Sequence, residues 1–136
     1  MLAKLRADVD LWVASADERG GAYLVPLSFY WDDSALTIAT PAASPTGRNL
    51  VRAGWARVAL GTTRDVVIVE GTVAATAAAD VDTGLGDAHA RATGFDPRTL
   101  ADPYVYLQIT PQEIQAWREV NELPERQLMR RGEWID

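Results

Sequence analysis

Residues 36–50 read LTIATPAASPTGRNL, and this stretch carries the sharpest structural punctuation in the chain. Leu36 to Thr40 is short, apolar and rich in β-forming residues, which predicts a strand that Pro41 ends. Ser44-Pro45 then predicts a helix start, because a hydroxyl at the N-cap followed by proline at the first helical position is a favoured order. The helix continues through Arg48, Asn49, Leu50, Val51 and Arg52, and Gly54 is placed to end it. A helix start leaves backbone N–H groups without partners and carries partial positive charge. Thr40, Ser44, Thr46 and Arg48 surround this one. Two readings stay open: an ordinary N-cap with an arginine facing water, or a phosphate seat made of hydroxyls, amides and a guanidinium.

Upstream, the chain reads as a meander. Met1 to Val9 is a short helix or a frayed end. Asp10 to Ala16 alternates as a strand does, residues 17–21 form a turn, and Tyr23 to Trp31 returns as a dense aromatic and β-branched run. Pro26 within that run marks an edge, a bulge or a bend. Asp32-Asp33-Ser34 turns the chain into the strand at 36–40.

Downstream of the helix, Trp55 to Gly61 predicts a strand with Val58 and Leu60 on one face. Thr62 to Asp65 is a hairpin connection, and Val66 to Ala75 is a long strand apolar enough to be covered on both sides. Glu70-Gly71 inside it points to a bulge or a close backbone approach. Short connections make the sheet largely antiparallel, and curling it onto itself would remove exposed edges. Ala77 to Gly94 has helical composition, with His89 read as exposed or capping; Asp96-Pro97-Arg98 opens a short helical turn, and Tyr104 to Thr110 is a strand. The capping box at Thr110 to Glu113 favours a helix through Trp117, while Ile114 to Trp117 reads equally as a last strand, and both stay open. Glu119 to Arg131 is predicted helical, and Trp134-Ile135 either docks on a subunit or forms a loose end.

A chain of 136 residues is one domain. Its 48% hydrophobic and 24% charged residues are the proportions of a soluble globular protein, with the cytoplasm as default, and no apolar run is long enough to span a bilayer. The absence of cysteine excludes disulfides, thiol nucleophiles and thiolate metal sites, and one histidine excludes a histidine metal cluster within one chain. A net charge of -6 argues against general nucleic-acid binding. No G-x-S-x-G or G-x-x-x-x-G-K motif is present, Gly84-Leu85-Gly86 lacks a preceding strand, and Asp32-Asp33 reads as a turn pair. Aromatics, small residues and a candidate anion seat, with little acid–base machinery, suit a cofactor that carries its own reactivity.

The order YLVPLSFYWDDSALTIATPAASPTGRNLVRAG, RVALG, DVVIVEG resembles the pyridoxamine 5'-phosphate oxidase-like superfamily, and within it the small bacterial flavin- or deazaflavin-dependent oxidoreductases. The most specific part is A-T-x-x-x-S-x-T-x-R-N-L, and the closing WREVNELPERQLMRRGEW is similar to the end of one subgroup. The resemblance implies a mainly β fold with short helices, a six-stranded antiparallel split β-barrel (the FMN-binding split barrel). It implies a homodimer with FMN or the deazaflavin F420 held in grooves between subunits. Carried over by residue, Thr40, Ser44, Thr46, Arg48 and Asn49 would seat the phosphate. Leu27, Ser28 and Phe29 would lie along the ring with Ala39 beside it, and Trp117 and Arg118 would reach the other subunit's cofactor. Many relatives place a lysine in the phosphate segment; here Thr46 and Gly47 stand in that region. The implied activity is hydride transfer to or from a small organic substrate, with Tyr104, Tyr106 or water as proton donor. The alternative is a non-catalytic module that sequesters a flavin, a deazaflavin or a haem-like ligand.

Overall fold

The computed structural model describes residues 2–135. A short helix, α1 (Leu2–Ala7), precedes the strands β1 (Asp10–Ala16), β2 (Ala22–Ser28), β3 (Tyr30–Trp31) and β4 (Leu36–Pro41). Helix α2 (Pro45–Ala53) leads to β5 (Trp55–Thr62) and β6 (Asp65–Ala77), then α3 (Thr83–Thr93), the long β7 (Tyr104–Trp117), β8 (Gln127–Arg130) and β9 (Glu133–Trp134). The pairing is antiparallel throughout, in the order β2-β1-β5-β6-β7-β4-β3, with β8 and β9 added beside β7. The six longer strands β1, β2, β4, β5, β6 and β7 make the curled barrel expected from the sequence, and three short strands extend it. The barrel is split where β2 and β4 approach each other without pairing.

Period-two alternation sets what points inward. Val13 of β1, Ile38 of β4, Val58 of β5, Val69 of β6 and Leu107 of β7 are all buried in one core. Helix α2 plugs one end of the barrel through Leu50, which is buried in the same core. Its start is built as the sequence predicts: the Ser44 hydroxyl accepts from the Gly47 N–H at 3.0 Å, and Pro45 follows it. Its end is Gly54, left-handed at φ 66°, whose N–H donates to the Leu50 carbonyl at 2.9 Å.

Several expectations needed correction. The open segment at 110–117 is strand, continuous with 104–110 in β7 and paired with β6. Glu119 to Arg131 is not one helix: a 3-10 segment at Val120–Glu125 gives way to the β8–β9 hairpin. Pro124 cannot donate within a continuing α-helix, and Met129 is buried by pairing β8 with β7. The hairpin turns through Arg131 and Gly132, both at positive φ, the pattern of a primed two-residue turn. The helical region at 77–94 is shorter than its composition suggested, since β6 runs to Ala77 and Asp82 caps α3 by accepting from the Leu85 N–H. Trp134 and Ile135 are about half exposed on this chain, although the Ile135 N–H donates to the Leu128 carbonyl. No helix among the described residues is long and apolar enough to cross a membrane.

Candidate functional site

The two edges of the barrel split, β2 and β4, enclose a cavity of about 260 Å³. Pro26, Leu27 and Ser28 line it from β2, and Ala39 and Pro41 from β4. Tyr104 of β7, Phe95 and His89 of α3 complete the lining. Ala39 and Pro41 pair with Tyr106 and Tyr104, so these four share the barrel's outer face, the face that α3 covers. The Ser28 hydroxyl donates to Asp10 Oδ1 at 2.8 Å.

Pro41 also leads into the start of α2. There the Ser44 hydroxyl is already engaged, accepting from Gly47 and lying 3.2 Å from the Thr40 hydroxyl. The Asn49 amide donates to Ser15 Oγ at 3.2 Å, tying α2 to β1. Proline has no N–H at the first helical position, and the Arg48 N–H donates to the Ser44 carbonyl. The Thr46 N–H is therefore the first-turn amide with no acceptor among the described residues. Thr46 itself is buried, whereas the Arg48 guanidinium is exposed. Arg48 and Asn49 face a second, open cavity of about 680 Å³ that they share with Arg19 and Arg52. Asp17 and Glu18 complete it.

The residues singled out from sequence are thus distributed over distinct places. Leu27, Ser28 and Ala39 come together in the split; Thr40, Ser44 and Thr46 cluster at the helix start; Arg48 and Asn49 border the arginine-lined cavity. Phe29 sends its side chain into the barrel core. Trp117 and Arg118 line a separate cavity of about 570 Å³ with Lys4, Asp65 and Glu122. There Glu122 takes both the Arg118 N–H, at 2.6 Å, and its guanidinium, at 3.2 Å.

Sequence reasoning missed His89. Read as exposed or capping, it is in fact buried, 1% exposed, with its ring edge-on to Tyr106 at 5.4 Å between centroids. Burial pushes its pKa below the ordinary value; Asp96 acts in the opposite direction and Arg98 in the same one. Burial likewise raises the Tyr106 phenol. Neither His89 nitrogen, nor the Tyr106 hydroxyl, has a hydrogen-bond partner among the described residues. The signal was weak because the inner face of α3 carries Gly86, His89 and Thr93, correctly spaced but without apolar bulk.

A curled antiparallel barrel, split between its edge strands and plugged by a capped helix, defines the split-barrel class. Residues 3–118 match the family model described as pyridoxamine 5'-phosphate oxidase, and the chain belongs to that family. No curated protein matches its sequence. Among solved structures it is similar to a Listeria innocua protein proposed to be a pyridoxamine 5'-phosphate oxidase, with TM-score 0.69 and 14% identity over 87% of this chain and 95% of that one. It is similar to an F420 reductase, with TM-score 0.63 and 15% identity over 82% of this chain and 93% of that one. A pyridoxamine 5'-phosphate oxidase-related, FMN binding protein from Nostoc punctiforme PCC 73102 gives TM-score 0.58 and 15% identity, covering 93% of this chain and 79% of that one. At these identities the likeness establishes the fold.

Proposed function

We propose that this protein binds a flavin-type cofactor, FMN or the deazaflavin F420, and moves hydride between it and a small organic substrate. One observation carries the reading. The cavity in the barrel split is lined by Leu27, Ser28 and Ala39, and its Pro41 edge leads to a helix start where the Thr46 N–H has no acceptor among the described residues. The apolar walls suit a flat ring, the buried His89 forms part of the lining, and the helix start suits its anionic end.

In this reading Leu27, Ser28 and Ala39 hold the ring, while the Thr46 amide and Arg48 bind the phosphate. Thr40 and Ser44 shape the turn that presents that amide, and Asn49 locks α2 onto β1. The cofactor supplies the hydride chemistry. The chain contributes orientation, exclusion of water by the apolar walls, and a proton at Tyr104 Oη beside the cavity. Tyr106 is less suited as donor because its hydroxyl is shielded beneath α3. A second copy of the chain covers the outer face of β1, β2 and β5, where Trp12 and Leu24 are exposed, and closes the cavity along Pro26. Support also comes from family membership and from fold relatives named as FMN-binding and as an F420 reductase.

The test is titration of the purified protein with FMN and with the deazaflavin, read by fluorescence and by thermal shift. Saturable binding of either, followed by faster oxidation of the reduced cofactor by candidate substrates than in free solution, is the expected result. Binding of neither would refute the reading, and tight binding without acceleration would leave only the binding half of it.

A further inference from the structure

The cavity in the barrel split has apolar walls and one deeply buried polar side chain with nothing to bond to. Of the polar groups on its lining, Ser28 already donates to Asp10, and Tyr104 is only partly buried. His89 differs from both: it is 1% exposed and both its ring nitrogens lack partners among the described residues. Buried polar groups almost always find a partner, and one left unmet costs free energy. Because burial keeps the imidazole neutral at pH 7, it presents one N–H and one bare nitrogen. The edge-on Tyr106, 78° from the imidazole plane, packs against it from β7. A lactam or imide edge can meet one of these nitrogens, its N–H donating to the bare nitrogen or its carbonyl accepting from the imidazole N–H. A charged group would instead lose its hydration between apolar walls.

We propose that His89 is the specificity-determining residue of this cavity, its imidazole engaging the lactam or imide edge of an uncharged planar heterocycle seated between β2 and β4. The proposal rests on the cofactor reading above and adds to it the residue that chooses among rings. Rotation about the soft χ2 torsion brings a nitrogen to the ligand.

The experiment separates ring from phosphate. Lumiflavin is a tricycle with an imide edge and no phosphate; phenazine is a tricycle without lactam or imide. Both are titrated into the full chain and into His89→Phe and His89→Gln, with quenching of tryptophan fluorescence and thermal shift as readouts. The unaltered chain should bind lumiflavin about tenfold more tightly than phenazine, the worth of one hydrogen bond. His89→Phe should level the two affinities, and His89→Gln, which keeps a donor and an acceptor, should restore most of the difference. Should His89→Phe fail to fold, His89→Met makes the same comparison. Equal affinities in the unaltered chain would overturn the proposal, as would a preference that survives the apolar substitution or binding of neither ring. The cofactor reading fails separately: FMN and the deazaflavin binding no more tightly than lumiflavin would remove the phosphate seat and leave the His89-dependent ring preference standing.

Discussion

Two residues, His89 and Arg48, carry opposite kinds of risk for the chain. His89 is buried and its pKa is depressed chiefly by that burial. Above its ordinary value of 6.5, folded and unfolded chains both hold it neutral, so its titration adds no pH dependence there. As the pH falls below 6.5, the unfolded chain takes up a proton that the folded chain refuses, and stability drops until the lower folded-state pKa is reached. The charged groups around it, Asp96 and Arg98, act in opposite directions and leave burial in control. The carboxylates held low, Asp32, Asp96 and Glu122, lose their stabilisation only below about their ordinary 3.8 for the aspartates and 4.5 for the glutamate, and do not interfere in this window. Urea midpoints measured from pH 7.5 to 5.5 should therefore fall in the unaltered chain and flatten in His89→Phe; parallel slopes would rule this out. Arg48 has the contrary character, being exposed at the rim of the arginine-lined cavity. In the proposed reading its value lies in a charge-assisted contact to a ligand phosphate, so Arg48→Ala should leave the melting temperature of the free protein nearly unchanged. The same substitution should weaken FMN or deazaflavin binding about tenfold in a fluorescence titration. Unaltered affinity would place the phosphate elsewhere.

Among the elements, β6 shows how a single glycine lets a long strand lie close against a bulged neighbour. At Glu70/Gly71 its register with β7 shifts, with Gln112 of β7 as the extra residue, so of the bulge or close backbone approach that Glu70-Gly71 predicts, Gly71 itself provides the close approach. A Cβ at Gly71 would lie 2.1 Å from the Thr110 carbonyl oxygen and 2.7 Å from its carbon, both backbone atoms held in the neighbouring strand. Gly71→Ala should therefore cost on the order of 2–3 kcal/mol, a fall in melting temperature of roughly 7–10 °C by differential scanning calorimetry. A change under about 2 °C would show that the Thr110 backbone yields cheaply. This element was legible in sequence because glycine inside an apolar run has few other uses. The same holds for α2, where serine, proline and a closing glycine each act through local backbone chemistry. What stayed illegible depends on tertiary partners. Residues 127–130 become strand because β7 offers an edge and the core accepts Met129. His89 is buried because Arg98 ties α3 down, through Asp87 at 2.9 Å on one side and Asp96 at 2.8 Å on the other, with Gly86 leaving room for the guanidinium. The first leaves no periodic trace in its own segment, and the second leaves only small or polar residues at the right spacing. The candidate site was half readable for the same reason: its strand and turn residues obey local rules, whereas its helical wall was brought in from a distance.

At the scale of the whole molecule, the outer face of β1, β2 and β5 is the surface that needs explaining. Leu11 and Val13 are buried, so Trp12 between them points outward. The register sets Trp12 beside Pro26 on one side and Ala59 on the other, and Ala14 beside Leu24. Trp12 is 49% exposed and Leu24 62%, so a continuous apolar stripe crosses three strands in open solvent. Such a stripe is costly on a monomer and suited to burial against a second copy. Pro26 belongs both to this stripe and to the lining of the cavity between β2 and β4, so a second copy seated on the stripe would also border that cavity. The chain should therefore sediment as a dimer, and Trp12→Glu, which puts a charge at the centre of the stripe, should give a folded monomer with weakened FMN or deazaflavin binding. Leu24→Asp should do the same from the neighbouring strand. A monomer in the unaltered protein that binds cofactor as tightly as any dimeric preparation would break the link, since it would mean that one chain closes the cavity alone.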